Sequence, residues 1–139
     1  YALQAAGGHL ALMLAAKAER RPWLTIAQSP ITDLIGADSA KLSDEGDAVR
    51  RWIGSAPNES PDLWRQLNPI DHPADVSILL VHGETDVDVP KEQSETYARV
   101  MKAKGVEVQK LWLPGDHYSV IDVASDDWLV QLNAIIDWL

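Results

Sequence analysis

The segment Val76-Ser77-Ile78-Leu79-Leu80-Val81-His82-Gly83 limits the fold more than any other part of the chain. It is nearly all apolar over the length of a strand, the pattern of a β-strand buried on both faces. Such a strand needs covering layers on each side, which parallel sheets with helical crossovers provide. Trp23-Leu24-Thr25-Ile26-Ala27, bounded by Pro22 and Pro30, reads as a second buried strand. Val106, Val108 and the run Leu111 to Leu113 give a third over residues 106–113.

Helical signals alternate with these strands. Leu10 to Arg20 carries an apolar stripe of Leu10, Met13 and Leu14, with Lys17, Glu19, Arg20 and Arg21 towards its end and Pro22 as its stop. Residues 43–53, ending at Gly54, form a short helix, and Ser60 caps another that runs from Pro61 to Leu67. Pro90 opens a helix with Tyr97, Val100 and Met101 inward and Lys102, Lys104 and Gly105 at its close. Ser125 caps the last, whose inner side would carry Trp128, Leu129, Leu132, Ile135, Ile136 and Leu139. This order implies a parallel sheet with right-handed crossovers. The expected fold class is α/β, a short parallel sheet flanked by helices, in a single domain over residues 1–139 with a helical insert at about 35–74.

Composition removes several functions. The 139 residues are enough to bury a sizeable core. Twelve basic against 21 acidic residues give a net charge of -9, so the surface repels phosphate, and neither nucleic acid nor a membrane is expected as a partner. No apolar run approaches the ~20 residues of a membrane span. Without cysteine there is no disulfide, no thiolate zinc site and no cysteine nucleophile. A cytoplasmic location is expected. No signal peptide leads the chain, which opens on Tyr1, and a removed upstream segment is expected.

Two loops follow the ends of expected strands, where open α/β sheets bind ligands: residues 82–90 and residues 114–119. A third feature is the run of small residues Ala5-Ala6-Gly7-Gly8 ahead of the first helix. Taken alone it is either close packing or a phosphate-binding turn at a helix N-terminus. Glu84, Asp86, Asp88 and Asp116 are possible oxygen ligands, but their spacing does not match a calcium loop, and no metal or other cofactor is expected. His9 reads as a capping or packing residue, His82 as a hydrogen-bonded turn residue and His72 as a surface loop residue. Trp52, Trp64 and Trp112 either line a pocket for an apolar group or pack in the core.

Three of these motifs, in this order, resemble the α/β-hydrolase superfamily of esterases, lipases and peptidases, its small-molecule esterase and kynurenine-formamidase-like members above all. They are Ala6-Gly7-Gly8-His9-Leu10, then His82-Gly83 with Asp86, Val89 and Pro90, then Gly115-Asp116-His117-Tyr118-Ser119-Val120. Ser29-Pro30-Ile31-Thr32-Asp33-Leu34 fits as well. The resemblance implies the C-terminal half of that fold, beginning at the nucleophile elbow, with the N-terminal strands and the oxyanion loop absent. It places the acid at Asp86, the base at His117, and one oxyanion-hole donor at the Ala6 backbone N–H.

The superfamily needs these types because a serine hydroxyl attacks only when an imidazole takes its proton and a carboxylate orients that imidazole. The elbow reads G-x-S-x-G in active members, and here Leu3 stands at the first glycine and Ala5 at the serine. A methyl group cannot attack a carbonyl. Loss of the nucleophile costs on the order of a millionfold in turnover, so the chain as written is expected to be inert towards carboxylic esters and amides, its relatives' substrates. The alternative is a non-catalytic binding or scaffold domain that kept the hydrolase fold. A sheet cut at its elbow strand has an open edge, so a homo-oligomer or a missing N-terminal portion is expected beside it.

Overall fold

The computed structural model describes residues 2–42 and 45–138. Four strands, β1 (Ala2–Gln4), β2 (Leu24–Gln28), β3 (Ser77–Gly83) and β4 (Val108–Leu113), form one sheet in the order β1-β2-β3-β4. All three pairings are parallel, with Ala27 opposite Leu80 and Leu80 opposite Lys110. Parallel neighbours need crossovers, which α1 (Ala6–Lys17) makes from β1 to β2 and α5 (Glu92–Ala103) from β3 to β4. Between β2 and β3 lie α2 (Leu34–Ser39), α3 (Ala48–Ile53), α4 (Pro61–Leu67) and a 3₁₀ turn at Pro69–Asp71. The chain ends in α6 (Asp126–Trp138).

The two-residue period of β3 divides the core. Ile78 and Leu80 face one side, packed with Leu12 and Ala15 of α1 and Tyr97, Ala98 and Met101 of α5. Leu79 and Val81 face the other, with Leu24, Ile26, Leu113 and Val120, covered by Ile135 and Trp138 of α6. A third cluster, Leu34, Ala37, Val49 and Trp64, holds α2, α3 and α4 together. The α/β fold with helices on both faces of a parallel sheet is therefore as the sequence implies.

Several local expectations are corrected. The apolar stripe assigned to the first helix is split: Met13 is buried along with His9, Ala11, Leu12 and Ala15, while Leu10 and Leu14 are exposed. Ala18 leaves the helix in extended geometry, four positions before Pro22. On α6 the buried positions are Asp127 and Gln131, with Leu129, Leu132 and Ile136 facing out. Both helices have apolar residues on more than one face, so hydrophobicity alone cannot choose the face that docks. Small residues decide it on α1, and polar partners decide it on α6. Trp23 lies outside its strand and is exposed. The Ser60 side chain makes no cap bond, although Pro61 opens α4; Ser125 does cap α6, its Oγ accepting from Trp128 N–H at 2.9 Å. Residues 43 and 44, placed in a helix by the sequence, lie outside the described residues, as does Leu139. The helix α2 had no apolar period to announce it; Asp33 Oδ1 starts it by accepting from Gly36 N–H at 3.0 Å.

Candidate active site

Four strand ends meet at one edge of the sheet. Immediately after β1, Ala5 turns the chain into α1 with φ 48° and ψ −115°. A side chain at positive φ is strained, a cost of roughly 1–3 kcal/mol that the surroundings must hold in place. Ala5 N–H donates to Gln28 O at 2.9 Å, and Ala5 O accepts from His9 N–H at 3.0 Å. Gly8 lets α1 come in against the end of β2: a Cβ there would stand 2.9 Å from Pro30 Cβ. The turn thus presents position 5 at its tip and Ala6 N–H in the first turn of α1, where backbone donors have no intrahelical acceptor.

The loop after β3 holds Asp86. Both carboxylate oxygens are engaged: Oδ1 accepts from Asp88 N–H at 3.0 Å and Val89 N–H at 2.8 Å, and Oδ2 accepts from His117 Nδ1–H at 2.7 Å. Both residues are buried. With Nδ1 donating to Asp86, Nε2 is the basic nitrogen of the His117 ring. The bond joins residues 31 positions apart, one from each of the two strand-end loops. Gln4, the residue before Ala5, donates its Nε2–H to His117 O at 2.6 Å and so ties the base loop to the elbow.

A cleft of about 320 Å³ opens at this point, lined by Gln4, Ile31, Val49, Asp88, His117 and Tyr118. Ile31 and Val49 also line an adjoining apolar cavity of about 210 Å³, with Ala6, His9, Leu34 and Trp52. Trp52 is therefore a pocket residue. Trp64 is completely buried in the cluster of the inserted helices, and Trp112 lies half-buried on β4 against His82.

The other histidines have structural partners. His82, fully buried, donates Nε2–H to Val89 O at 2.7 Å and accepts at Nδ1 from Ser94 Oγ–H at 2.8 Å, bracing the Asp86 loop from below. Burial lowers its pKa, the Val89 carbonyl opposing. His9 Nε2–H donates to Leu67 O at 2.7 Å at the end of α4, and its ring meets Trp52 edge-on at 5.0 Å; burial lowers its pKa too. His72 Nε2 bonds Arg65 O at 2.9 Å. Among the acidic residues considered as ligands, Asp86 and Asp88 gather with His117, each with one ligand atom within 4.8 Å of the others. Glu84 and Asp116 stand outside that group. Asp116 is exposed, and backbone N–H groups of Ser119 and Tyr118 hold its pKa down.

Four polar residues not expected from the sequence to serve the site hold the base loop: Gln4, Gln28, Asp127 and Gln131. Their signal is present but faint, a glutamine at the last position of β1 and of β2 and polar residues on the buried side of α6.

No helix among the described residues is long and apolar enough to cross a membrane. No curated protein matches the chain in sequence. Solved structures do match its fold. The acylaminoacyl peptidase of Pyrococcus horikoshii aligns with a TM-score of 0.81 at 22% identity, over 96% of this chain and 22% of that one. An acylaminoacyl peptidase in complex with Z-Gly-Gly-Phe-chloromethyl ketone gives 0.80 at 18%, over the same shares. The esterase Est2 of Thermogutta terrifontis gives 0.70 at 19%, over 98% of this chain and 52% of its own. The chain thus spans about a fifth of the peptidases' length and about half of the esterase's. At these identities the likeness establishes the α/β-hydrolase fold. The sequence pattern of the prolyl oligopeptidase family, in addition, matches residues 4–139, and the chain belongs to that family.

Proposed function

We propose that this chain is the C-terminal portion of a serine hydrolase of carboxylic esters or amides, disarmed at its nucleophile. The observation that carries the reading is the 2.7 Å bond from His117 Nδ1–H to Asp86, held beside the Ala5 turn by Gln4. With a serine at position 5, His117 Nε2 would take the hydroxyl proton as Oγ adds to the carbonyl carbon. The same proton would then pass to the departing alcohol or amine, and water would release the acyl group by the reverse sequence. Asp86 orients the ring and stabilises its cation; Ala6 N–H is one donor to the oxyanion. The apolar cavity beside Ala6 suits an uncharged acyl or side-chain group of the substrate. The alternative, a binding domain without catalysis, rests on the methyl group of Ala5.

The edge of β1 and the exposed apolar residues of two helices support a partner. Among the described residues, β1 pairs on one side only, with β2. Leu10 and Leu14 on α1, and Leu129, Leu132 and Ile136 on α6, are exposed apolar residues. These features fit either further strands of a longer polypeptide or a second copy of the chain.

Hydrolysis of an activated short-chain ester by Ala5→Ser tests the reading. Turnover that appears with serine and disappears on His117→Ala is the expected result. Equal turnover by the unsubstituted chain, dependent on His117, would overturn the nucleophile assignment. An inactive Ala5→Ser would mean either that the N-terminal portion is indispensable or that the domain is a binder.

A further inference from the structure

The loop that carries His117 has no regular secondary structure between β4 and α6, yet its base is aligned to hydrogen-bond accuracy with Asp86. Its backbone is held by side chains of other elements. Asp127, in the first turn of α6, is buried, and its Oδ2 accepts from Gly115 N–H at 3.0 Å and from Ser119 Oγ–H at 2.5 Å. No basic side chain among the described residues forms an ion pair with it. One turn later, Gln131 is almost wholly buried; it donates to Val120 O and accepts from Gln28 Nε2–H at 2.9 Å. Gln28 Nε2–H also lies 3.0 Å from Val120 O. His117 therefore sits between two anchored points, Gly115 with Ser119 on Asp127, and Val120 on Gln131.

Two glycines show how closely the parts approach. A Cβ on Gly115 would overlap Asp127 Oδ2 and Ser119 Oγ, and one on Gly83 would overlap the carbonyl oxygens of Gly115 and Asp116. The loop is clamped between the end of β3 and the start of α6. An unpaired buried carboxylate is costly unless hydrogen bonds and a helix N-terminus stabilise it, and both are present here.

We propose that Asp127 is a positioning residue for His117: from α6, with Gln131, it fixes the loop so that the ring meets Asp86. The inference deepens the function proposed above, because the importance of the alignment rests on His117 being the base. It needs no turnover to be tested, since the His117–Asp86 bond exists in the chain as it stands.

The measurement is the proton resonance of His117 Nδ1–H and its exchange with water, in the unsubstituted chain and in Asp127→Ala, Asp127→Asn and Ser119→Ala. The Leu80 amide in the middle of β3 reports global stability. Loss of the Nδ1–H signal in Asp127→Ala, its return in Asp127→Asn and an unchanged Leu80 amide are expected. Should Asp127→Ala fail to fold, Ser119→Ala decides, with at least about tenfold faster Nδ1–H exchange expected. An Nδ1–H signal that keeps its position and exchange rate in the folded variants overturns the proposal. In an active Ala5→Ser background, Asp127→Ala should lower kcat by about 10- to 100-fold and leave KM in place. If Ala5→Ser is inactive while the Nδ1–H results hold, the positioning role stands independently of the proposed function.

Discussion

His9 and His82 are neutral in the folded chain because burial disfavours their cations, the carbonyls of Leu67 and Val89 offsetting this only in part. Both folded-state pKa values lie below the ordinary 6.5. As pH falls below that value, the unfolded chain gains protons that the folded chain refuses. Folding stability should therefore decline from about pH 7 to about pH 5, by at most about 1.4 kcal/mol per pH unit for each histidine. Urea unfolding across that range measures it. His9→Gln keeps a donor for Leu67 O and cannot titrate, so its curve should be flatter; an unchanged slope would remove His9 from the account. The residue types at these positions were legible, and their roles as neutral braces depend on carbonyls 58 and seven positions away.

At the scale of elements, α1 owes its position to its smallest side chains. Gly8, Ala11 and Ala15 are turned inward beside His9, Leu12 and Met13, and Gly8 stands against Pro30 without room for a methyl group. Gly8→Ala should destabilise the fold by about 1–3 kcal/mol, as overpacking does. It should also shift the Ala5 turn, because Ala5 O accepts from His9 N–H. Thermal unfolding gives the first effect, and the amide chemical shifts of residues 5–9 the second. A variant as stable as the parent would show that the contact yields. Strands were easier to read than helix faces. β3 is nearly all apolar and needs no choice of side, whereas α1 and α6 bear apolar residues on more than one face. Only the sheet, the Asp127–Gly115 bond and the Gln131–Val120 bond select their inner faces.

For the whole molecule, the one-sided pairing of β1 and the exposed apolar residues of α1 and α6 predict self-association of the isolated chain. Light scattering at micromolar concentration should give a mass above the 15.3 kDa of one chain, and Leu132→Glu with Ile136→Glu should reduce it. A clean monomer in the unsubstituted chain would count against the exposed surface as an interface. The sequence by itself determined the α/β class, the order of strands and of every helix but α2, and the loops that carry Asp86 and His117. It could do so because strand burial and turn chemistry are written in neighbouring residues. The tertiary structure decided which faces of α1 and α6 are buried, that Trp52 lines a cavity while Trp64 fills a core, and that Asp127 and Gln131 hold the base loop. These depend on residues far apart in the chain meeting at one sheet edge, a juxtaposition that local pattern does not encode.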